Sequence, residues 1–238
     1  MKVTSVNVDP SNRLSVEHRV AHNKLEVLLH KKCVLLDQPD QEMYDAFAEL
    51  SKIPITKTPQ DSIQIDIGGV IGDKHFQPNV IKKDKDGFFE ASAYNQVSLM
   101  PKERYTEINQ LYSRTISAGA FGENIQVDGI HSIETLPQGT ILQFGETAQI
   151  KITHLRTFCY KFANVIFPTV DSYFHWKKNG GGVITRLGVL GQVLCPGTIF
   201  PGDSIKIVYL PEDRLKLGYI QRPNGMFSRT PCDPPTNT

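Results

Sequence analysis

The stretch 153-THLRTFCYKF-162 sets Cys159 between two cations, Arg156 and Lys161. A buried structural cysteine has no use for two positive neighbours. A cysteine that works as a thiolate does, because they favour the ionised form. The competing reading is the common one for a lone cysteine, a small buried apolar residue beside an incidental arginine. His154, five residues before Cys159, is a formal candidate base, but nothing in the spacing brings the two together. In 121-FGENI-125, the Gly-Glu-Asn run reads as a tight turn. Its functional alternative is a cradle in which Asn124 offers donors and acceptors to a polar heterocycle. In 71-IGDKH-75, Gly72-Asp73 again suggests a turn, with Lys74 and His75 as either an anion site or a solvated pair. The sequence 201-PGD-203 reads as a hairpin turn without chemistry of its own. No phosphate loop, zinc-protease helix or nucleophile elbow is present, and the glycines at 180–182 lack the strand and helix that a dinucleotide site needs.

The elements that must position these residues read mainly as strands. KVTSVNV at 2–8 places Val3 and Val6 among polar residues and forms a first strand. SIQIDIGGVIGD alternates Ile63, Ile65 and Ile67 with polar residues, and Gly68-Gly69 marks a turn or bulge. YNQVSLM is another strand. PKERYTEINQLY follows as a helix with Pro101 at its first position and Tyr105, Ile108 and Leu111 on one face. GTILQFGETAQIKITHL gives two strands around Gly145-Glu146, the second ending near Leu155, so that Arg156 to Cys159 fall at a strand end or in a loop. GVLGQVLCPGTIFPGDSIKIVYL gives two more. Residues 11–60 are of different texture: a basic stretch from about Arg13 to Lys32 that reads as a helix or a hairpin, then a helix after Asp40 with Met43, Phe47 and Leu50 on one face. The tail from Asp213 reads as an extension without its own core. Short strands with glycine turns imply a mainly β fold, a barrel or sandwich with few helices.

Composition narrows the function classes. The 238 residues suffice for one substantial core, or one domain with an appendage. A formal net charge of +1 gives no global basic field for nucleic acid or a membrane surface. No apolar run approaches the roughly 20 residues of a membrane span, and the N-terminus lacks the apolar core of a signal peptide. A cytoplasmic protein is the expectation. Cys33, Cys159, Cys195 and Cys232 show no C-x-x-C pair, which argues against a structural zinc site and gives no disulfide framework.

Taken in order, IGDKH, NQVSLMPKE, FGENI, GTILQFG, THLRTFCYKF and RLGVLGQVLCPGTIFPGD resemble the MOSC domain, named from the C-terminal domain of molybdenum cofactor sulfurases. The ordered set spans about Asp61 to Tyr209, and Cys159 with its following aromatic, Lys161 and apolar residue looks most like the small stand-alone bacterial members. The resemblance implies a mainly β fold with a β-barrel-like core, a domain over 1–210 with 11–60 as an insertion or elaboration, and a C-terminal extension over 211–238. It implies a pterin-dithiolene molybdenum cofactor in a positively charged cleft, with Cys159 as the protein ligand to molybdenum and the catalytic residue. A soft thiolate suits such a metal. Arg156, Asn124, Lys74, His75 and Lys161 are then the cofactor-binding candidates. The run KHFQPNVIKKDKDGFF departs from the His-Gly-Gly pattern of many members, on the substrate side of the pocket. No pyridoxal-phosphate domain is visible, which sets sulfurase activity aside. The expected function is a molybdenum enzyme reducing N-hydroxylated compounds, taking electrons from a separate redox protein. The alternatives are a sulfur or cofactor carrier holding a persulfide on Cys159, and a cofactor-free scaffold with another partner.

Overall fold

Alternation of apolar and polar residues sets the architecture, because successive strand side chains point to opposite faces. A computed structural model of the protein describes residues 1–9, 57–76, 81–83, 89–91, 96–113, 115–156, 175–177 and 183–212. Cys159, Lys161, the proposed face of Met43, Phe47 and Leu50, and the tail from Asp213 lie outside the described residues.

The main sheet has eight strands. In spatial order they are β15 (Ile205–Tyr209), β9 (Ile141–Phe144), β10 (Ala148–Leu155), β13 (Val189–Cys195), β7 (Val97–Pro101), β8 (Ile125–Asp128), β1 (Lys2–Val8) and β2 (Thr58–Gln60). A three-stranded sheet joins β14 (Gly197–Ile199), β3 (Ile63–Asp66) and β4 (Gly69–Val70). Among the described residues two short pairs complete the strands, β5 (Ile81–Lys83) with β6 (Phe89–Ala91) and β11 (His175–Lys177) with β12 (Val183–Thr185). The stretch after Val189, expected as two strands, forms three: β13, β14 and β15.

The pairing of β7 with β8 is parallel. A parallel pair needs a crossover, and helix α1 (Lys102–Tyr112) supplies it. Pro101 ends β7 and caps the helix, one position earlier than expected. Tyr105 and Ile108 are buried as expected, whereas Leu111 is 61% exposed. It sits in the last turn, which stops at the left-handed Ser113 (φ 49°) and is left uncovered.

The mainly β class holds, but the expected barrel closure is not found among the described residues. Where the two ends of the sheet approach each other, β1 meets the turn before β15 and the first residue of that strand. One isolated bridge, Lys2 to Ser204, is formed there. Three backbone bonds support it, from Val3 N to Asp203 O, Gly202 N to Val3 O and Ile205 N to Met1 O, at 2.9, 2.8 and 2.9 Å. Gly202 at φ 98° turns the chain away from any longer ladder.

The core lies on the inner face of the main sheet, with Leu99, Ile125, Val127, Leu142, Phe144, Ile150, Ile152 and Val189 fully buried. Val3 and Val6 break strict alternation yet both are buried. A register shift between Val3 and Ser5 explains this, since one extra residue flips the parity of the strand. Cys195, the last residue of β13, is disulfide-bonded. This corrects the expectation of no disulfide framework, which rested on the absence of a close cysteine pair along the chain.

Candidate functional site

The motifs singled out in the sequence meet around one buried carboxylate, Asp73, in the turn after β4. Its Oδ2 takes the Lys57 ammonium at 2.7 Å, both side chains being within 3% of fully buried. The same oxygen accepts the Asn124 amide at 3.0 Å and Asp9 N at 3.3 Å. Its Oδ1 accepts His75 N at 3.0 Å and faces His75 Nδ1 at 3.1 Å. Burial alone would push the Asp73 carboxyl up, but the His75 and Lys57 bonds outweigh it and hold the group well below the usual carboxylate range. Lys74 reaches back to the Asp9 carboxylate, and its backbone N–H bonds Asp9 O at 3.0 Å.

Asn124 is placed by the strand pair that α1 connects. Its Oδ1 accepts Ser98 N at 3.1 Å and Ser98 Oγ at 3.0 Å, and its Nδ2 also reaches Asn7 O at 3.3 Å. The amide is therefore engaged within the protein at both ends, and the residue is 3% exposed. Arg156 follows directly on β10. It is buried, and its guanidinium donates to Phe121 O at 2.7 Å and Leu187 O at 3.2 Å. It thereby ties the Phe121–Asn124 loop to the turn before β13. Tyr105 of α1 packs edge-on against Phe121, with ring centroids 5.1 Å apart.

Two glycines allow these loops to close. A Cβ on Gly119 (φ 83°) would lie 2.2 Å from Lys57 O, and one on Gly188 (φ 81°) would lie 2.0 Å from Leu99 O. Both adopt the left-handed conformation that side chains resist. Gly119 N donates to Glu123 Oε1 at 2.7 Å. Burial pushes the Glu123 carboxyl up, against the opposing pull of Tyr105, Gly119 N and the Arg156 charge.

The charges are coupled. Burial lowers the Lys57 ammonium, Asp73 pulls it back up, and the Arg156 and Lys74 charges lower it further. Lys57 and Lys74 thus pair with Asp73 and Asp9, while the Arg156 charge acts on Lys57 and on the buried Glu123. His75 is the accessible member, its side chain 58% exposed, and Lys74 follows at 21%. Among the described residues no three His, Cys, Asp or Glu side chains gather as a metal site. His154 is buried in β10, and desolvation pushes its imidazole down.

Of the sequence candidates, the fold brings Lys74, His75, Asn124 and Arg156 together, and Cys159 and Lys161 lie outside the described residues. Sequence reasoning missed Lys57 and Asp9. A lysine amid Pro54, Thr56, Thr58 and Pro59 carries no mark of burial. Asp9 precedes the stretch treated as an insertion and Lys57 lies near its end, where Thr58 pairs with Val8.

Comparison with known proteins agrees with this architecture. In fold the chain is similar to YiiM from Geobacillus stearothermophilus, at 21% identity and TM-score 0.50, over 68% of this chain and 69% of that one. It also matches YiiM from Escherichia coli at 21% identity and TM-score 0.48, over 67% and 68% of the two chains. YuaD from Bacillus subtilis matches at 20% identity and TM-score 0.46, over 63% and 86%. No curated protein sequence matches the chain. The family model of the MOSC domain matches residues 73–206, which begins at the central carboxylate and ends in β15. That match covers more than half of the sequence, and the chain belongs to the MOSC domain family.

Proposed function

We propose that the protein binds a pterin-based molybdenum cofactor and reduces N-hydroxylated compounds to the parent amine or amidine. The observation that supports this is the gathering of Lys74, His75 and Asn124 around Asp73, with Arg156 close to Lys57, in a chain that belongs to the MOSC domain family. The Lys74 ammonium and the accessible His75 offer donors to an anionic ligand, and a dithiolene with a phosphate tail is one. When bound, such a cofactor supplies the two-electron chemistry in which oxygen leaves as water.

The chain's own residues divide that work. Cys159 is three residues beyond Arg156, so covalent geometry keeps their Cα atoms within about 11 Å. Cys159 acts as the thiolate ligand to the metal. Arg156 favours that thiolate through its charge while its N–H groups fix the Phe121–Asn124 loop. Lys161 adds a second positive charge. Lys74, beside the accessible His75, borders the phosphate or pterin edge. Asn124 supports the cofactor site by holding the Asp73 turn. Electrons come from a separate redox protein.

The test is the molybdenum and pterin content of protein from a host that makes the cofactor, wild type beside Cys159→Ala. Near-stoichiometric metal in the wild type, lost in the variant, is the expected result. Wild-type protein free of metal and pterin turns the reading to a persulfide carrier, which mass spectrometry of Cys159 would then detect.

A further inference from the structure

The Asp73–His75 contact has a chemical consequence. Asp73 accepts from Lys57 Nζ, Asn124 Nδ2, Asp9 N and His75 N. A carboxylate so surrounded by donors is ionised, and an ionised carboxylate can only accept. His75 Nδ1, 3.1 Å from Asp73 Oδ1, therefore carries its hydrogen. The neutral ring is then the Nδ1–H tautomer, with the Nε2 lone pair on the other edge of a side chain that is 58% exposed. The backbone N–H of His75 is pinned to the same oxygen, so ring and main chain are fixed together. A buried carboxylate that fixes the tautomer and orientation of an accessible imidazole is the arrangement of an acid–base pair.

We propose that His75, oriented by Asp73, is the proton donor for the reaction at this site, and that Lys57 is a positioning residue acting through Asp73. This rests on the reductase reading above. Reduction of R–NH–OH takes two electrons and two protons, breaks the N–O bond, and yields R–NH2 and water. The electrons come from the separate redox protein. Protonated His75 gives its Nε2 proton to the departing hydroxyl oxygen and recovers one from solvent, and solvent supplies the second proton to nitrogen. The charged groups facing the dyad are Lys57 and Asp9 with its partner Lys74, with Arg156 beyond Lys57.

Two measurements decide it. Long-range proton–nitrogen NMR on the protein without cofactor reads the tautomer directly. Nδ1–H is expected, opposite to the preference of a free histidine side chain, and an Nε2–H ring overturns the dyad. Cofactor-loaded wild type and His75→Gln are then compared on a hydroxylamino compound with a competent electron donor. The expected result is a fall in kcat of about 100-fold with KM and metal content unchanged. An active wild type matched by an equally active His75→Gln overturns the proton role, as does a variant that loses its metal, which would make His75 a cofactor contact alone. A loaded wild type that reduces nothing overturns the reductase reading itself, and the tautomer separates that failure from a failure of the dyad.

Discussion

Asp73 is the residue on which the site's stability turns. Its folded-state pKa lies below its ordinary value. The stability it contributes is therefore present above about pH 4, the unfolded carboxyl range, and is lost as pH falls below it. Glu123 has the opposite sign. Its pKa is raised, so it makes stability decline as pH climbs through and above the ordinary Glu value of 4.5. Thermal melts across pH 2–8 should show Asp73→Asn flattening the acid limb and Glu123→Gln flattening the decline above it. Lys57→Met leaves the Asp73 charge buried without its cation, and a chemical denaturation curve should register a loss of about 3–5 kcal/mol. A loss below about 1 kcal/mol would mean that the pair is solvated.

At the scale of elements, loops meet because two backbones approach closer than any side chain permits. Gly119→Ala and Gly188→Ala each combine a left-handed backbone with a Cβ driven onto a carbonyl oxygen. Each should cost more than about 2 kcal/mol in urea melts. Gly202→Ala serves as the control: it is also left-handed, but nothing stands within 4 Å of its Cβ, so its cost should be limited to backbone strain of about 1–2 kcal/mol. Arg156→Lys should not behave as a conservative change. A point ammonium cannot serve Phe121 O and Leu187 O as the planar fork does. Amide exchange at residues 119–124 should accelerate in that variant.

At the scale of the molecule, the curled sheet provides the rigid frame and the site occupies loops at its strand ends. Leu99 is fully buried on β7, between β13 and β8. Leu99→Ala should destabilise the whole fold by about 2–5 kcal/mol, with tryptophan fluorescence and far-UV dichroism melting together. Among the described residues no helix is long and apolar enough to cross a membrane.

The sequence by itself determined the strands and the order of the motifs. Period-two alternation is a local property, and it placed β1, β3, β9 and β10 nearly where they lie. It also ended β10 at Leu155, beside Arg156. Glycine turns at 68–69 and 145–146 were legible for the same reason, since backbone permissiveness needs no tertiary context. Three matters depended on the folded chain. The parity of β1 was set by a bulge against β8, which no single strand encodes. How the sheet ends meet, through the isolated Lys2–Ser204 bridge and not a ladder, was decided by contacts between distant parts of the chain. The burial of Lys57 and Asp9 was invisible, because a charged residue is buried only when its counter-charge arrives from elsewhere in the chain. Here that counter-charge comes from Asp73 for one and Lys74 for the other, and only the pairing of β1 with β2 brings them together.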